Sequence, residues 1–134
     1  MSEITCSGIL VVDDDDDIRD TIIQCFGDEG YEAAGARHGQ EALDKLRSGA
    51  SLPCMILLDI MMPVMDGRAF RAEQLRDPRL CDIPIVVVTA NANLGEVEAE
   101  LKTAGALRKP VSLKQLFKVA EAHCGKPTGP GWGP

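Results

Sequence analysis

The sequence alternates short apolar runs with segments of helical periodicity, and this alternation restricts its fold more than any other feature. The runs at 9–12, 31–36, 55–58 and 85–88 have strand character, and a very short one follows at 106–108. Between them, apolar residues recur every three or four positions, as in helices that bury one face. The runs at 55–58 and 85–88 contain no polar residue, as expected of central strands covered on both faces. The pattern predicts an α/β fold with a parallel sheet, built from five strands and five helices.

Length and charge narrow the class of protein. With 134 residues the chain is of single-domain size, and we expect that domain to span residues 1–124. The last ten residues, 125–134, hold four glycines and three prolines, which predicts a disordered tail without room for a DNA-binding output module. The formal net charge of −7 disfavours nucleic-acid binding. No apolar run is long enough for a membrane span and the start is polar, so we expect a cytoplasmic protein.

The cysteines do not follow a recognisable spacing. Five are scattered through the chain, and no pair has CxxC spacing: Cys6, Cys25, Cys54, Cys81 and Cys124. This pattern predicts neither a disulfide framework nor a zinc site, and most of these thiols should be buried as small hydrophobic groups.

Polar side chains follow four of the predicted strands. They are Asp13 with Asp14, then Asp59, Thr89 and Lys109. Ligands of open parallel sheets bind beyond the carboxyl ends of the strands, so these groups should converge on one edge. Three carboxylates that lie close together repel one another unless a cation is present, and Mg²⁺ suits such a wet oxygen site. The sequence therefore predicts a magnesium site with an ammonium group beside it.

Asp59 stands alone after the central strand, which makes it the candidate nucleophile. An aspartate in such a site can form an acyl phosphate, whose added charge Thr89 and Lys109 are placed to meet. The neighbouring Asp16 and Asp17 have a simpler explanation, because carboxylates at a helix start favour the positive end of the dipole and can cap free amides.

The chain resembles the receiver domains of two-component response regulators. The matching stretches lie in the order and spacing of that family: residues 9–15, 57–67, 83–90 and 107–110. The stretch from Asp59 to Gly67 is the most specific. The resemblance implies a doubly wound, flavodoxin-like sheet of order 2-1-3-4-5 with five helices.

The resemblance also implies roles for the site residues. Asp59 would be the phosphoacceptor, Asp14 a direct magnesium ligand, Asp13 a ligand through water, and Met61 a ligand through its main-chain carbonyl. Thr89 would turn its hydroxyl toward the phosphoryl group, and Lys109 would pair with its charge.

The partners follow from the same resemblance. A sensor histidine kinase or a phosphotransfer protein would supply the phosphoryl group from a phosphohistidine, and a downstream protein would read the result. Such a domain catalyses its own phosphorylation and dephosphorylation and does not turn over a separate substrate.

One position departs from the family pattern. Most receivers have an aromatic residue three positions before the lysine, where this chain has Ala106, and the lead into Lys109 is also shorter than usual. We hypothesise that the fourth helix and its following loop carry the response instead.

Two other interpretations stay open. A phosphatase with a nucleophilic aspartate typically has a second aspartate two positions later as general acid, but Met61 stands there. A degenerate receiver would act only as an interaction module, and the shortened lead into Lys109 is what keeps this interpretation open.

Overall fold

The computed structural model describes residues 8–48, 52–60, 65–90 and 94–124. Strands and helices alternate along the whole of it: β1 (Ile9–Val12), α1 (Asp16–Asp28), β2 (Ala33–Ala36), α2 (Gly39–Ser48), β3 (Met55–Asp59), α3 (Gly67–Arg76), β4 (Ile85–Thr89), α4 (Leu94–Leu101), β5 (Gly105–Arg108) and α5 (Leu113–Cys124). The predicted tail, 125–134, lies outside the described residues.

The strands form one parallel sheet in the order β2-β1-β3-β4-β5, which confirms the fold that the family resemblance implies. Alternate strand residues face opposite sides of the sheet. Val11 packs in a core with residues of α1 and α5. Val12 packs in a second core with residues of α2, α3 and α4. Helices therefore cover both faces, which explains why the central strands carry no polar alternation.

The strand order places a crevice at one point of the sheet. β1 pairs with β2 on one side and with β3 on the other, so the connections run in opposite directions from β1. In sheets of this kind ligands bind at the carboxyl ends of the strands where the order reverses. The crevice lies beyond the ends of β1 and β3, directly before Asp13 and at Asp59.

The start of α5 is held by a capping box. The amide of Gln115 donates to the Ser112 hydroxyl at 3.2 Å, and the amide of Ser112 donates to Gln115 Oε1 at 3.1 Å. These two bonds satisfy amides that the helix itself leaves without acceptors. α5 then buries Leu116 and Ala120 against the sheet.

The connection from α4 to β5 differs from what the local apolar pattern indicates. The apolar pattern extends α4 to Ala104 with Gly105 as its stop, but α4 ends at Leu101 and Gly105 already belongs to β5. Lys102 adopts a left-handed backbone conformation with φ 54°, which ends the helix. β5 is therefore four residues long.

The prediction about cysteines was wrong for one pair. Cys54, the residue before β3, and Cys124, the last residue of α5, form a disulfide with their Cα atoms 5.5 Å apart. Seventy positions separate them in sequence, so spacing could not reveal the pair. The burial prediction was also wrong for the described cysteines, since Cys25, Cys54, Cys81 and Cys124 are all partly exposed. Cys6 lies outside the described residues.

Within the described residues, no helix combines the length and the apolar character that a membrane span requires.

Candidate functional site

Three carboxylates meet at the crevice between β1 and β3. Val12 pairs with Leu58 at the ends of these strands, so Asp13 and Asp59 follow side by side. One carboxylate oxygen from each of Asp13, Asp14 and Asp59 lies within 4.8 Å of the other two. Asp13 and Asp59 are each only 4% exposed, whereas Asp14 is open to solvent. The carboxylates that the sequence predicted to converge do lie together.

Lys109 brings a positive charge into this cluster. Its Nζ lies 3.2 Å from Asp59 Oδ2 and 3.7 Å from Asp13 Oδ2. Its backbone amide donates to the Thr89 carbonyl at 2.9 Å, which anchors the chain just after β5 to the end of β4. The Lys109-Pro110 peptide bond is cis. The shortened lead into this lysine therefore still delivers its ammonium to Asp59.

The surroundings shift the pKa of Lys109. Burial lowers the pKa of the ammonium, but attraction to Asp59, Asp13 and Asp14, with the hydrogen bond to Asp59, raises it by more. The net effect is a raised pKa, so Lys109 carries its charge more firmly than an exposed lysine.

Thr89 is the last residue of β4 and is 4% exposed. The neighbouring Val88 pairs with Asp59 across the β3–β4 ladder, so Thr89 stands one position beyond the acidic residue on the adjacent strand. β3 and β4 thus end at residues of the predicted site, and β1 ends directly before Asp13.

The start of α1 departs in detail from the sequence prediction. Asp15 is the N-cap, and its Oδ1 accepts from the amide of Ile18 at 3.0 Å. Asp16 and Asp17 occupy the first turn, where their charge favours the positive end of the helix dipole. The acidic run therefore divides between the cluster, the cap and the first turn.

Local hydrogen bonds orient Asp13. Its Oδ1 accepts from the amide of Asp15 at 2.9 Å, and its carbonyl accepts from Arg19 Nη1 at 2.9 Å. Arg19 was not identified from the sequence, because its bond goes to a backbone carbonyl and such a contact leaves no signal in the residue types. These bonds hold the Asp13 backbone and side chain before any ligand binds.

Gly67 fits closely against the loop that follows Asp59. Its amide donates to the Ile60 carbonyl at 2.9 Å, and a Cβ at this position would lie 2.8 Å from Ile60 Cα and 3.1 Å from the Asp59 carbonyl oxygen. Asp66 caps α3 by accepting from the amide of Ala69 at 2.9 Å. A side chain at residue 67 would push on the backbone of the site, which explains why a glycine follows the capping residue Asp66.

Two further positions from the sequence analysis have different outcomes. Met61 lies outside the described residues, so its predicted main-chain contact stays a prediction. Ala106 lies in the middle of β5, pairs with Val87 of β4 and is partly buried against the core under α4. A methyl group stands where most receivers have a ring.

An apolar cleft leads away from the carboxylates between α1 and α5. It has a volume of about 530 Å³, and Ile18 and Ile22 line one wall while Leu113 and Leu116 line the other. Asp59 also borders the cleft, so it can be approached from this side although little of its surface is exposed.

Relatives of known sequence share this site-bearing region. The chain is 40% identical over 112 residues to the response regulator MprA of Mycolicibacterium vanbaalenii, covering 81% of this chain and 46% of that protein. It is 38% identical over 129 residues to MprA of a Mycobacterium species, covering 94% of this chain and 54% of the relative. The chain thus spans about half the length of these relatives.

Solved structures share the fold. The chemotaxis response regulator CheY4 of Vibrio cholerae superposes with a TM-score of 0.78 at 28% identity, covering 88% of this chain and 98% of that one. The receiver domain of NtrX from Brucella abortus gives a TM-score of 0.74 at 29% identity, covering 86% and 96%. The family model of the response regulator receiver domain matches residues 9–121. The chain therefore belongs to the response regulator receiver domain family.

Proposed function

We propose that this receiver domain is a phosphoacceptor switch of a two-component or phosphorelay system, in which Asp59 accepts a phosphoryl group from a phosphohistidine donor. The observation that carries the proposal is the group of three carboxylates within 4.8 Å of one another with the Lys109 ammonium 3.2 Å from Asp59. Family membership supports it, because response regulators act with histidine kinases. The donor is then a sensor histidine kinase or a phosphotransfer protein.

The donor set fits Mg²⁺. Asp13, Asp14 and Asp59 offer hard carboxylate oxygens, and the exposure of Asp14 leaves room for the waters that Mg²⁺ retains. In this proposal Asp14 would bind the ion directly and Asp13 would bind it through water, with Asp59 and the main-chain carbonyl of Met61 as further ligands. When bound, Mg²⁺ neutralises charge on the transferring phosphoryl group.

The residues of the chain then act on the phosphoryl group as follows. A carboxylate oxygen of Asp59 attacks phosphorus, a P–O bond forms as the P–N bond of the phosphohistidine breaks, and the imidazole leaves with the bonding electron pair. Lys109 is already beside Asp59, so its charge meets the new phosphoryl oxygens without a large rearrangement. The hydroxyl of Thr89, at the end of the adjacent strand, donates a hydrogen bond to a phosphoryl oxygen.

The output is a change in binding to a downstream protein. The acyl phosphate places new negative charge beside Thr89, and this charge changes the preferred conformation of the segment that joins β4 to α4. Because Ala106 has no ring to swing inward, α4 and its following loop carry the response. Chemical-shift changes along residues 91–106 on phosphorylation would support this route, and changes confined to the surroundings of Asp59 would refute it.

The first experiment is intact-mass measurement after incubation with Mg²⁺ and acetyl phosphate. We expect one added phosphoryl group, which Asp59→Asn abolishes and EDTA prevents. Asp20→Asn is the matched control, because Asp20 is an exposed aspartate of α1 outside the carboxylate group. An adduct that persists in Asp59→Asn would overturn the assignment of the acceptor.

Two other results would favour the competing interpretations. Absence of both the adduct and Mg²⁺ binding would support an interaction module without phosphorylation. Steady turnover of a simple phosphate ester in Mg²⁺ would support a phosphatase.

A further inference from the structure

The disulfide lies at the end of the sheet where β3 begins, opposite to the end that carries the carboxylate group. Cys54 directly precedes β3, and Asp59 is the last residue of the same strand. Cys124 ends α5. Both cysteines are partly exposed, so a small thiol can approach the bond from solvent. The proposed phosphoryl chemistry uses neither residue, and this inference does not rest on it.

The bond holds the last turn of α5. Upstream, α5 is anchored by the buried residues Leu116 and Ala120. In the turn that follows, Glu121 and Ala122 are exposed and His123 is only partly covered. Cys124 itself packs partly against the core, so this contact and the disulfide hold the end of a turn whose first two residues are exposed. A turn of this kind frays readily when its tether is removed.

Cys54 keeps its place when the bond is open. Its amide donates to the Gly8 carbonyl at 2.8 Å. Its Sγ lies 3.2 Å from the same oxygen, which is an acceptor in position for the thiol hydrogen of the reduced state. Reduction therefore leaves Cys54 fixed at the sheet, and the segment that gains freedom is the end of α5.

We propose that Cys54 and Cys124 form a reversible thiol–disulfide site that a small-molecule thiol of the glutathione class opens, and that opening releases the last turn of α5. A glutathione thiolate attacks one sulfur, the Cys54–Cys124 bond breaks, and the departing protein thiolate takes up a proton. A second glutathione thiolate then attacks the glutathione sulfur of the mixed disulfide and frees the other protein thiol. Two glutathione thiols are oxidised to one glutathione disulfide, and the reverse sequence closes the bond.

The test uses the full chain under native conditions, equilibrated with either glutathione disulfide or millimolar reduced glutathione. After quenching and denaturation, alkylation and mass spectrometry should show Cys25 and Cys81 alkylated in both chains, and Cys54 and Cys124 alkylated only in the reduced chain. Peptide mapping should join Cys54 to Cys124. Amide hydrogen exchange in residues 121–124 should accelerate about tenfold or more on reduction, whereas exchange in α1 should change little.

Variants separate the tether from general destabilisation. Cys54→Ser and Cys124→Ser should each show fast exchange at the end of α5 in both redox conditions, and Cys81→Ser, which alters a cysteine outside the disulfide, should behave as the parent chain. A bond that native reduced glutathione does not open would overturn the proposal. So would equal exchange at residues 121–124 in the oxidised and reduced chains.

Discussion

Arg71 of α3 should stabilise the fold by capping another helix. Its Nε donates to the Leu101 carbonyl at 2.9 Å, its Nη2 to the Lys102 carbonyl at 2.6 Å, and its Nη1 to Gln74 Oε1 at 2.6 Å. Leu101 ends α4, so a positive charge sits at the negative end of that helix dipole. The substitution Arg71→Met keeps the aliphatic stem and removes all three bonds.

The expected loss of stability follows from these contacts. Hydrogen bonds from a charged donor contribute about 1.5–3 kcal/mol each, and a buried acceptor left unpaired costs about 1–3 kcal/mol. Gln74 is fully buried and Arg71 is 9% exposed, so water does not replace the lost donor readily. Burial also disfavours the charged guanidinium and lowers its pKa, which offsets part of the gain. The net effect of Arg71→Met should be about 3 kcal/mol.

Equilibrium unfolding in urea measures this loss. With an m-value of about 1.5 kcal/mol/M, the midpoint of Arg71→Met should fall by about 2 M. Arg76→Met is the matched control, because Arg76 lies on the same helix, is 75% exposed and pairs with Glu73 at 3.0 Å. Exposed pairs of this kind contribute below about 1 kcal/mol. If Arg71→Met lost no more stability than Arg76→Met, the capping role would be refuted.

Three further predictions concern the site and the pH dependence of stability. Gly67→Ala would place a Cβ 3.1 Å from the Asp59 carbonyl oxygen and should slow labelling by acetyl phosphate at least about tenfold. Gly95→Ala is the control, because its Cβ would meet nothing within 4 Å and labelling should keep its rate. Lys109→Gln removes the ammonium that lies 3.2 Å from Asp59 and competes with a bound cation for the carboxylates. Titration calorimetry should therefore show Mg²⁺ binding that is about tenfold tighter, whereas labelling by acetyl phosphate should be slower. Weaker Mg²⁺ binding would contradict this reasoning. The pKa of Asp77 is lowered, and the largest cause is the hydrogen bond that the backbone amide of Arg79 donates to its carboxylate. Because that folded pKa lies below the unfolded value of about 3.9, its stabilising contribution is complete above this pH and is lost as pH falls through the folded pKa. Urea midpoints should therefore fall less steeply with acid in Asp77→Asn than in the parent chain.

Much of the fold was predictable from local pattern. Uninterrupted apolar runs indicate strands that are covered on both faces, and the observed sheet has two cores, one on each side. In a parallel sheet every strand ends at the same edge, so the residues after the strands had to meet there. This is why Asp13, Asp59, Thr89 and Lys109 could be grouped without a structure. Their positions at the ends of successive parallel strands were enough to predict that they lie close together.

The exact ends of α4 and β5 depended on longer-range contacts. Ala104 continues the helical apolar pattern, yet its amide donates to the Ile85 carbonyl of the neighbouring strand at 2.8 Å. Pairing with β4 extends from Gly105 to Arg108 and outweighs the local helical pattern. Periodicity reports which residues are buried, but it does not report which backbone partner they choose.

The sequence by itself determined the α/β class and the residue types of the candidate site, because these follow from local periodicity and from the common polarity of parallel strands. Only the tertiary structure decided the partners of isolated residues. The end of α5 meets the start of β3 and joins Cys124 to Cys54, and Arg71 of α3 reaches the end of α4. Such pairs lie 30 to 70 positions apart and carry no spacing signal. They form because packing helices on both faces of one twisted sheet brings particular helix ends and strand ends into contact.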